Sequence, residues 1–285
     1  MRIADIHIRD PFVLPVESEK KYYLYGTCQP PGNIGFDTYC SSDLVEWEGP
    51  FPAFRKPEDF WATHHFWAPE VHFYNDKYYM FASFKADGAC RGTHILAADK
   101  PGGPFVPLTD QPVTPRDWEC LDGTLHVDEE GKPWMVFCHE WLQVEDGEMC
   151  AMPLSDDLST ALDKPILLFR ATEAKWVIQV AADRKAYVTD GPYLHRTPGG
   201  DLLMLWSSSS RTGYGTAFAR SESGKITGPW IQDSETLGLA DAGHAMIFRT
   251  LDGQLMLTMH QPNRSSKERA VFLPLKETEH NLELA

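Results

Sequence analysis

Three aspartates recur in nearly the same setting along this chain: Arg9-Asp10-Pro11, Leu121-Asp122-Gly123-Thr124 and Thr189-Asp190-Gly191-Pro192. A lone Asp beside Pro or Gly often does no more than cap a turn. Three that each open a short alternating strand are instead expected to converge. Carboxylates gathered in a closed cleft push one another's pKa values apart, which leaves one ionised base and one protonated acid near neutral pH. Cleaving a glycosidic bond requires such a pair. A further carboxylate, Glu140 in Cys138-His139-Glu140-Trp141, ends the strand that follows the Asp122 segment. It reads either as a loop residue or as a group that reaches the same pocket.

The strands that must position these acids form a series of five. The aspartate segments share it with Trp67-Ala68-Pro69-Glu70 and Ala242-Gly243-His244-Ala245, and each copy runs strand, polar turn, aromatic-rich strand. Tyr22-Tyr23-Leu24-Tyr25, Tyr78-Tyr79-Met80-Phe81, Trp134-Met135-Val136-Phe137, Leu203-Met204-Leu205-Trp206 and Leu255-Met256-Leu257-Thr258 are the second strands. Counted from positions 10, 68, 122, 190 and 242, the copies lie 58, 54, 68 and 52 residues apart, a propeller spacing and too long for leucine-rich or helical repeats. Turns such as Asn75-Asp76-Lys77, Pro198-Gly199-Gly200-Asp201 and Asp252-Gly253 suit tight hairpins. The expectation is an all-β, five-bladed β-propeller over residues 1–285, one domain without a C-terminal β-sandwich module. Asp110–Trp118 and Ala171–Ala186 read as connections between blades, the second with a helical turn. Equivalent ends of the innermost strands then face one another across a central funnel.

A net charge of −15 argues against nucleic acid and against an anionic membrane surface, since both need a basic face. No apolar run of about 18 residues and no basic-then-apolar leader follows Met1, so neither a membrane span nor secretion is expected unless a leader has been removed. The six cysteines, Cys28, Cys40, Cys90, Cys120, Cys138 and Cys150, lack CxxC spacing. They read as reduced thiols in strands, which favours the cytoplasm.

With these motifs together, the chain resembles the five-bladed glycoside hydrolases of family 43. The resemblance runs through Arg9-Asp10-Pro11-Phe12, Trp67-Ala68-Pro69-Glu70, Leu121-Asp122-Gly123-Thr124-Leu125 followed by Asp128-Glu129-Glu130-Gly131-Lys132, Thr189-Asp190-Gly191-Pro192 and Gly243-His244, almost the whole chain. It implies that Asp10 is the general base that activates water, that Asp122 orients the acid and raises its pKa, and that the anomeric centre inverts. Family members usually carry Glu where this chain has Asp190, one methylene shorter. Three readings stay open: Asp190 acts with its backbone shifted inward, Glu140 donates the proton instead, or activity is lost and a carbohydrate-binding propeller remains. The implied substrates are pentose-containing plant polysaccharides or oligosaccharides, cleaved as by an α-L-arabinofuranosidase or β-xylosidase, with no required cofactor. In the resembled family a histidine at the place of His244 helps hold a calcium ion or a water network near the channel centre. One His is a poor calcium signature by itself, so such an ion would rest mostly on water. Family members often add a β-sandwich that completes the site, so a partner subunit in a homo-oligomer is an alternative cover for the cleft.

Sugar rings also need aromatic platforms, because their C–H faces are apolar. Phe66, Trp67, Trp118, Trp141 and Tyr214 are the candidates. Trp47 and Trp230 read as core. Glu70 reads either as a partner for a sugar hydroxyl or as half of a salt bridge inside blade two, and His64 and His65 as pocket or loop. By analogy Arg269 or Arg264 is a candidate to sit beside the carboxylates, with external salt bridges as the alternative.

Overall fold

Strands with one apolar face each must bury that face against another layer, and here five sheets do so by packing radially. In the computed structural model, residues 1–27 and 34–285 are described; Cys28 lies outside them. Each sheet has four antiparallel strands whose order follows the chain. The innermost strands are Arg9–Val16, His64–Tyr74, Cys120–Val127, Asp190–Arg196 and Gly243–Arg249. This is the five-bladed propeller expected from the repeat. Ala171–Glu173 is a single 3-10 turn in the connection that was expected to hold one. No helix among the described residues is long and apolar enough to cross a membrane, and the five described cysteines are free thiols.

Register reveals a device repeated in every blade. Against its second strand each inner strand slips over two residues: Asp10-Pro11, Ala68-Pro69, Asp122-Gly123, Gly191-Pro192 and His244-Ala245. The first residue of each pair has a positive φ, between 45° and 55°. A bulge of this kind bends the strand and re-aims the side chain at the slip. Four of the five residues are not glycine, which stores about 1–3 kcal/mol of backbone strain at each. Gly191 is needed twice over, since a Cβ there would come within 2.8 Å of the His244 ring.

The bulges correct the count made on sequence. The residues in register are Asp10, Ala68, Asp122, Gly191 and His244, so Asp190 stands one residue early, level with Arg9, Trp67, Leu121 and Gly243. Asp-Pro and Asp-Gly-Pro look alike as motifs, but a bulge adds a residue that the motif does not reveal. Position 242 likewise precedes its true equivalent, His244.

Aromatic cores lie between the blades. Phe36, Phe54, Phe60, Phe66 and Phe84 pack at centroid distances of 5.0 to 6.3 Å, while Trp176, Trp206 and Trp230 surround Phe169. Trp47 and Trp230 are buried, as expected. Phe66 corrects the sequence reading: it belongs to this core and is no sugar platform, because its side chain points into the sheet interface.

Among the described residues no sheet mixes strands from the two ends of the chain, so the ring is closed by packing and by individual hydrogen bonds. Ile8 N donates to the Glu268 carbonyl at 3.3 Å, and Arg9 Nη1 donates to Asn263 Oδ1 at 2.8 Å and Glu268 Oε1 at 3.1 Å. Arg269 also serves this junction, donating through Nε to the Ala4 carbonyl at 2.7 Å, which takes it away from the carboxylates where it was placed by analogy. Glu268 is 1% exposed. Its replacement by Ala leaves Arg9 without its carboxylate partner at this junction and is expected to cost about 2 kcal/mol, the scale of a hydrogen bond to a charged group. A denaturant midpoint equal to that of the parent would show that packing alone closes the ring.

Candidate active site

The bulges turn the starts of the inner strands toward one mouth of the channel, where a cavity of about 260 Å³ opens. Asp10, Asp122, Asp190 and Glu140 line it together with Trp67, Trp141, Tyr214 and His244. A larger cavity of about 620 Å³ occupies the far mouth, lined by later residues of the same strands such as Phe12, Phe73, Tyr193 and Phe248. Among the described residues its only lining carboxylate is Glu17, and the clustered acids line the smaller cavity.

Asp10 is kept ionised. Its Oδ2 accepts from Thr27 Oγ1 at 2.7 Å, and its Oδ1 lies 3.2 Å from His244 Nδ1. Burial acts to raise its pKa, but the His244 charge, Arg9 with Nε 4.0 Å away and the Thr27 bond outweigh it and bring the pKa below the ordinary value. His244 shows the reciprocal effect: burial favours the neutral ring, yet Asp10 and Asp122, the latter 3.7 Å away, lift its pKa. His260 accepts the Asp10 backbone N–H at 3.2 Å through Nδ1. Burial takes the His260 pKa down to about 4, so the ring is neutral and has the lone pair this bond needs.

Asp122 and Asp190 are the opposite case. Burial, with the charge of Asp10, takes the Asp122 pKa up to about 6. Burial, followed by the charge of Asp122, takes Asp190 up to about 7. Asp122 Oδ2 accepts from Gly191 N at 3.1 Å, and Asp190 Oδ2 accepts from the Tyr214 hydroxyl at 3.1 Å. Among the described residues no hydrogen bond engages Asp190 Oδ1, which is thus available to carry a proton. The two carboxyls titrate as a pair, and burial raises both. Tyr214 reaches it because Gly243 has no side chain; a Cβ there would lie 2.4 Å from the tyrosine ring.

Glu140 follows the strand Pro133–His139 and is 7% exposed. It pairs with the buried guanidinium of Arg91. Arg91 Nη2 also meets His65 Nδ1 at 3.0 Å, and the guanidinium lies 4.5 Å over the Trp67 ring. His65 stacks on Trp67 at 4.2 Å, and because His65 touches Arg91 both cover the same face of that ring. Burial pushes the Glu140 pKa up to about 7 against the pull of Arg91.

Two of the remaining candidates lie outside the cavity. Trp118 stacks on His139 at 4.2 Å, outside the cavity, because the His139 ring offers it a flat apolar partner. Glu70 is buried and meets His72 Nε2 at 3.2 Å inside blade two, away from the residues that line the cavity. Tyr214 lies in the cavity but acts as a donor, its ring stacked on His260 at 5.5 Å. No site role for Thr27, His260, Arg9 or Arg91 was legible in the sequence. Thr27 ends the aromatic-rich strand of blade one and His260 is the last residue but one of that of blade five, so a polar residue near the end of each such strand was the available signal.

The family model described as "Glycosyl hydrolases family 43" matches residues 3–277. The chain belongs to glycosyl hydrolase family 43. It is a glycosidase, and family 43 enzymes typically invert the anomeric centre. An endo-arabinase from Bacteroides thetaiotaomicron VPI-5482 is 42% identical, with 99% of this chain and 98% of that chain covered and a TM-score of 0.93. A thermostable family-43 glycoside hydrolase is 25% identical over 97% and 92% of the two chains, with a TM-score of 0.82. The extracellular exo-α-(1→5)-L-arabinofuranosidase ArbA of Cellvibrio japonicus (strain Ueda107) is 25% identical over 250 residues, 80% of this chain and 67% of that protein.

For the calcium ion suggested by the resemblance, the donor set is poor. His244 Nδ1 already faces Asp10 and Asp122, and among the described residues no group of three or more His, Cys, Asp or Glu side chains is arranged to hold a metal. Calcium prefers six to eight oxygens, which these residues do not supply.

Proposed function

We propose that this family 43 glycosidase cleaves pentosyl linkages of plant polysaccharides or oligosaccharides, arabinofuranosyl linkages foremost and xylosyl linkages second, by direct displacement with water. The arabinan-active relatives support the choice of sugar. The observation that carries the mechanism is one cavity holding a carboxyl whose neighbours lower its pKa, Asp10, and another whose burial raises it, Asp190. Asp10 takes a proton from water as its oxygen attacks the anomeric carbon. Asp190 gives its proton to the departing oxygen as the glycosidic bond breaks. Asp122 stays ionised beside Asp190 and keeps the proton on it. Trp67 and Trp141 give apolar faces for the sugar rings, and Glu140, held by Arg91, accepts from sugar hydroxyls. No cofactor enters this scheme. Glu140 as proton donor is the second reading, favoured by its raised pKa and opposed by its ion pair with Arg91.

Product NMR on a panel of arabino- and xylo-oligosaccharides tests the proposal. Arabino-oligosaccharides are expected to release a first product of inverted configuration, ahead of any xylose release. A product of retained configuration, or xylose release alone, would sink it.

A further inference from the structure

The five bulges expose five backbone N–H groups at the channel, and in four of them the second strand of the preceding blade supplies the acceptor. Thr27 Oγ1 takes the Ala68 N–H at 2.7 Å, Ser83 Oγ that of Asp122 at 2.9 Å, Ser207 Oγ that of His244 at 2.8 Å, and His260 Nδ1 that of Asp10 at 3.2 Å. These four side chains share one register position, opposite Arg9, Trp67, Asp190 and Gly243. In blade three that position, opposite Leu121, is Cys138. Its thiol is fully buried and meets Thr189 and the charges of Asp122 and Asp190. A thiol is a weak acceptor, and the fifth amide, Gly191 N–H, goes to Asp122 Oδ2 instead.

We infer that Cys138 is a positioning residue through what it lacks: with no strong acceptor there, the Gly191 amide ties the start of blade four to Asp122. Asp190 is the residue just before Gly191, so the tie draws the short acid's backbone toward the carboxylate that keeps it protonated. The aspartate in place of the family's usual glutamate and the cysteine in place of a hydroxyl are then one compensated pair. This rests on Asp190 as the proton donor.

The experiment compares Cys138→Ser and Cys138→Ala on two substrates, an arabino-oligosaccharide with a poor leaving group and a 4-nitrophenyl arabinofuranoside with a good one. A serine hydroxyl at 138 would capture Gly191 N–H, as Ser83 and Ser207 capture theirs. Cys138→Ser is expected to lower kcat on the oligosaccharide about tenfold while changing the nitrophenyl substrate about twofold or less. Cys138→Ala offers no acceptor and is expected to keep the parent's ratio between the two substrates. Adding Asp190→Glu to Cys138→Ser should recover most of the oligosaccharide rate, since the longer side chain replaces the lost tie. Equal ratios in the serine and alanine variants would overturn the inference, as would a crystal structure of Cys138→Ser with Gly191 N–H still on Asp122. Failure of the donor assignment itself is recognised separately, by Asp190→Ala in the parent showing no leaving-group dependence.

Discussion

Asp10→Asn is expected to lower kcat by about 10²-fold or more while leaving the fold and sugar binding in place, the usual scale for losing a general base. The amide preserves the shape of the side chain but cannot take a proton from water. Its neighbours still hold it, since Thr27, His244 and the His260 bond to its backbone are unchanged. The pH profile adds a second readout. Asp10 works ionised, and its pKa is lowered, so activity in the parent is present above that pKa and lost as pH falls through it, below the ordinary aspartate range. That acidic limb should vanish in Asp10→Asn. Retained turnover would remove Asp10 from the mechanism, and lost binding would make it a structural residue.

The second large effect concerns the proton donor. Asp190→Ala is expected to slow natural oligosaccharides by about 10² to 10⁴-fold yet spare substrates whose nitrophenol leaving group needs little protonation. Asp190 works protonated, with a pKa raised to about 7 by burial and Asp122. The parent's activity is therefore expected to decline as pH rises through about 7, and the variant should lose that alkaline limb. Glu140→Gln is the discriminating partner experiment. If it shows the leaving-group dependence and Asp190→Ala merely weakens binding, the two residues exchange roles.

How far the site could be read in advance depended on how local each signal was. Asp10, Asp122 and Asp190 were legible because an acid beside Pro or Gly at a strand start is a short motif, and its recurrence implied a shared centre. Trp67, Trp141 and Tyr214 reached the cavity as expected, but Phe66 and Trp118 did not. An aromatic on an alternating strand serves core and cavity equally well until its face is known. Arg91 was invisible for a related reason: it meets Glu140, His65 and Trp67 from the residue before the strand Gly92–Ala98, and nothing near it in the chain announces that.

By itself the sequence determined the five-fold repeat, the strand and turn chemistry that makes each blade, and the identity of the acids that open them. These are properties of short segments, set by side-chain alternation and turn residues a few positions apart. Only the tertiary structure decided the register of the acids and their protonation. The bulges place Asp190 one residue before its apparent equivalents, and the ionisation of each carboxyl follows from its neighbours in other blades: His244 beside Asp10, Asp122 beside Asp190, Arg91 beside Glu140. The physical reason is that a carboxyl's pKa depends on burial and on charges within a few ångströms, and at the channel those charges come from residues far apart in the chain.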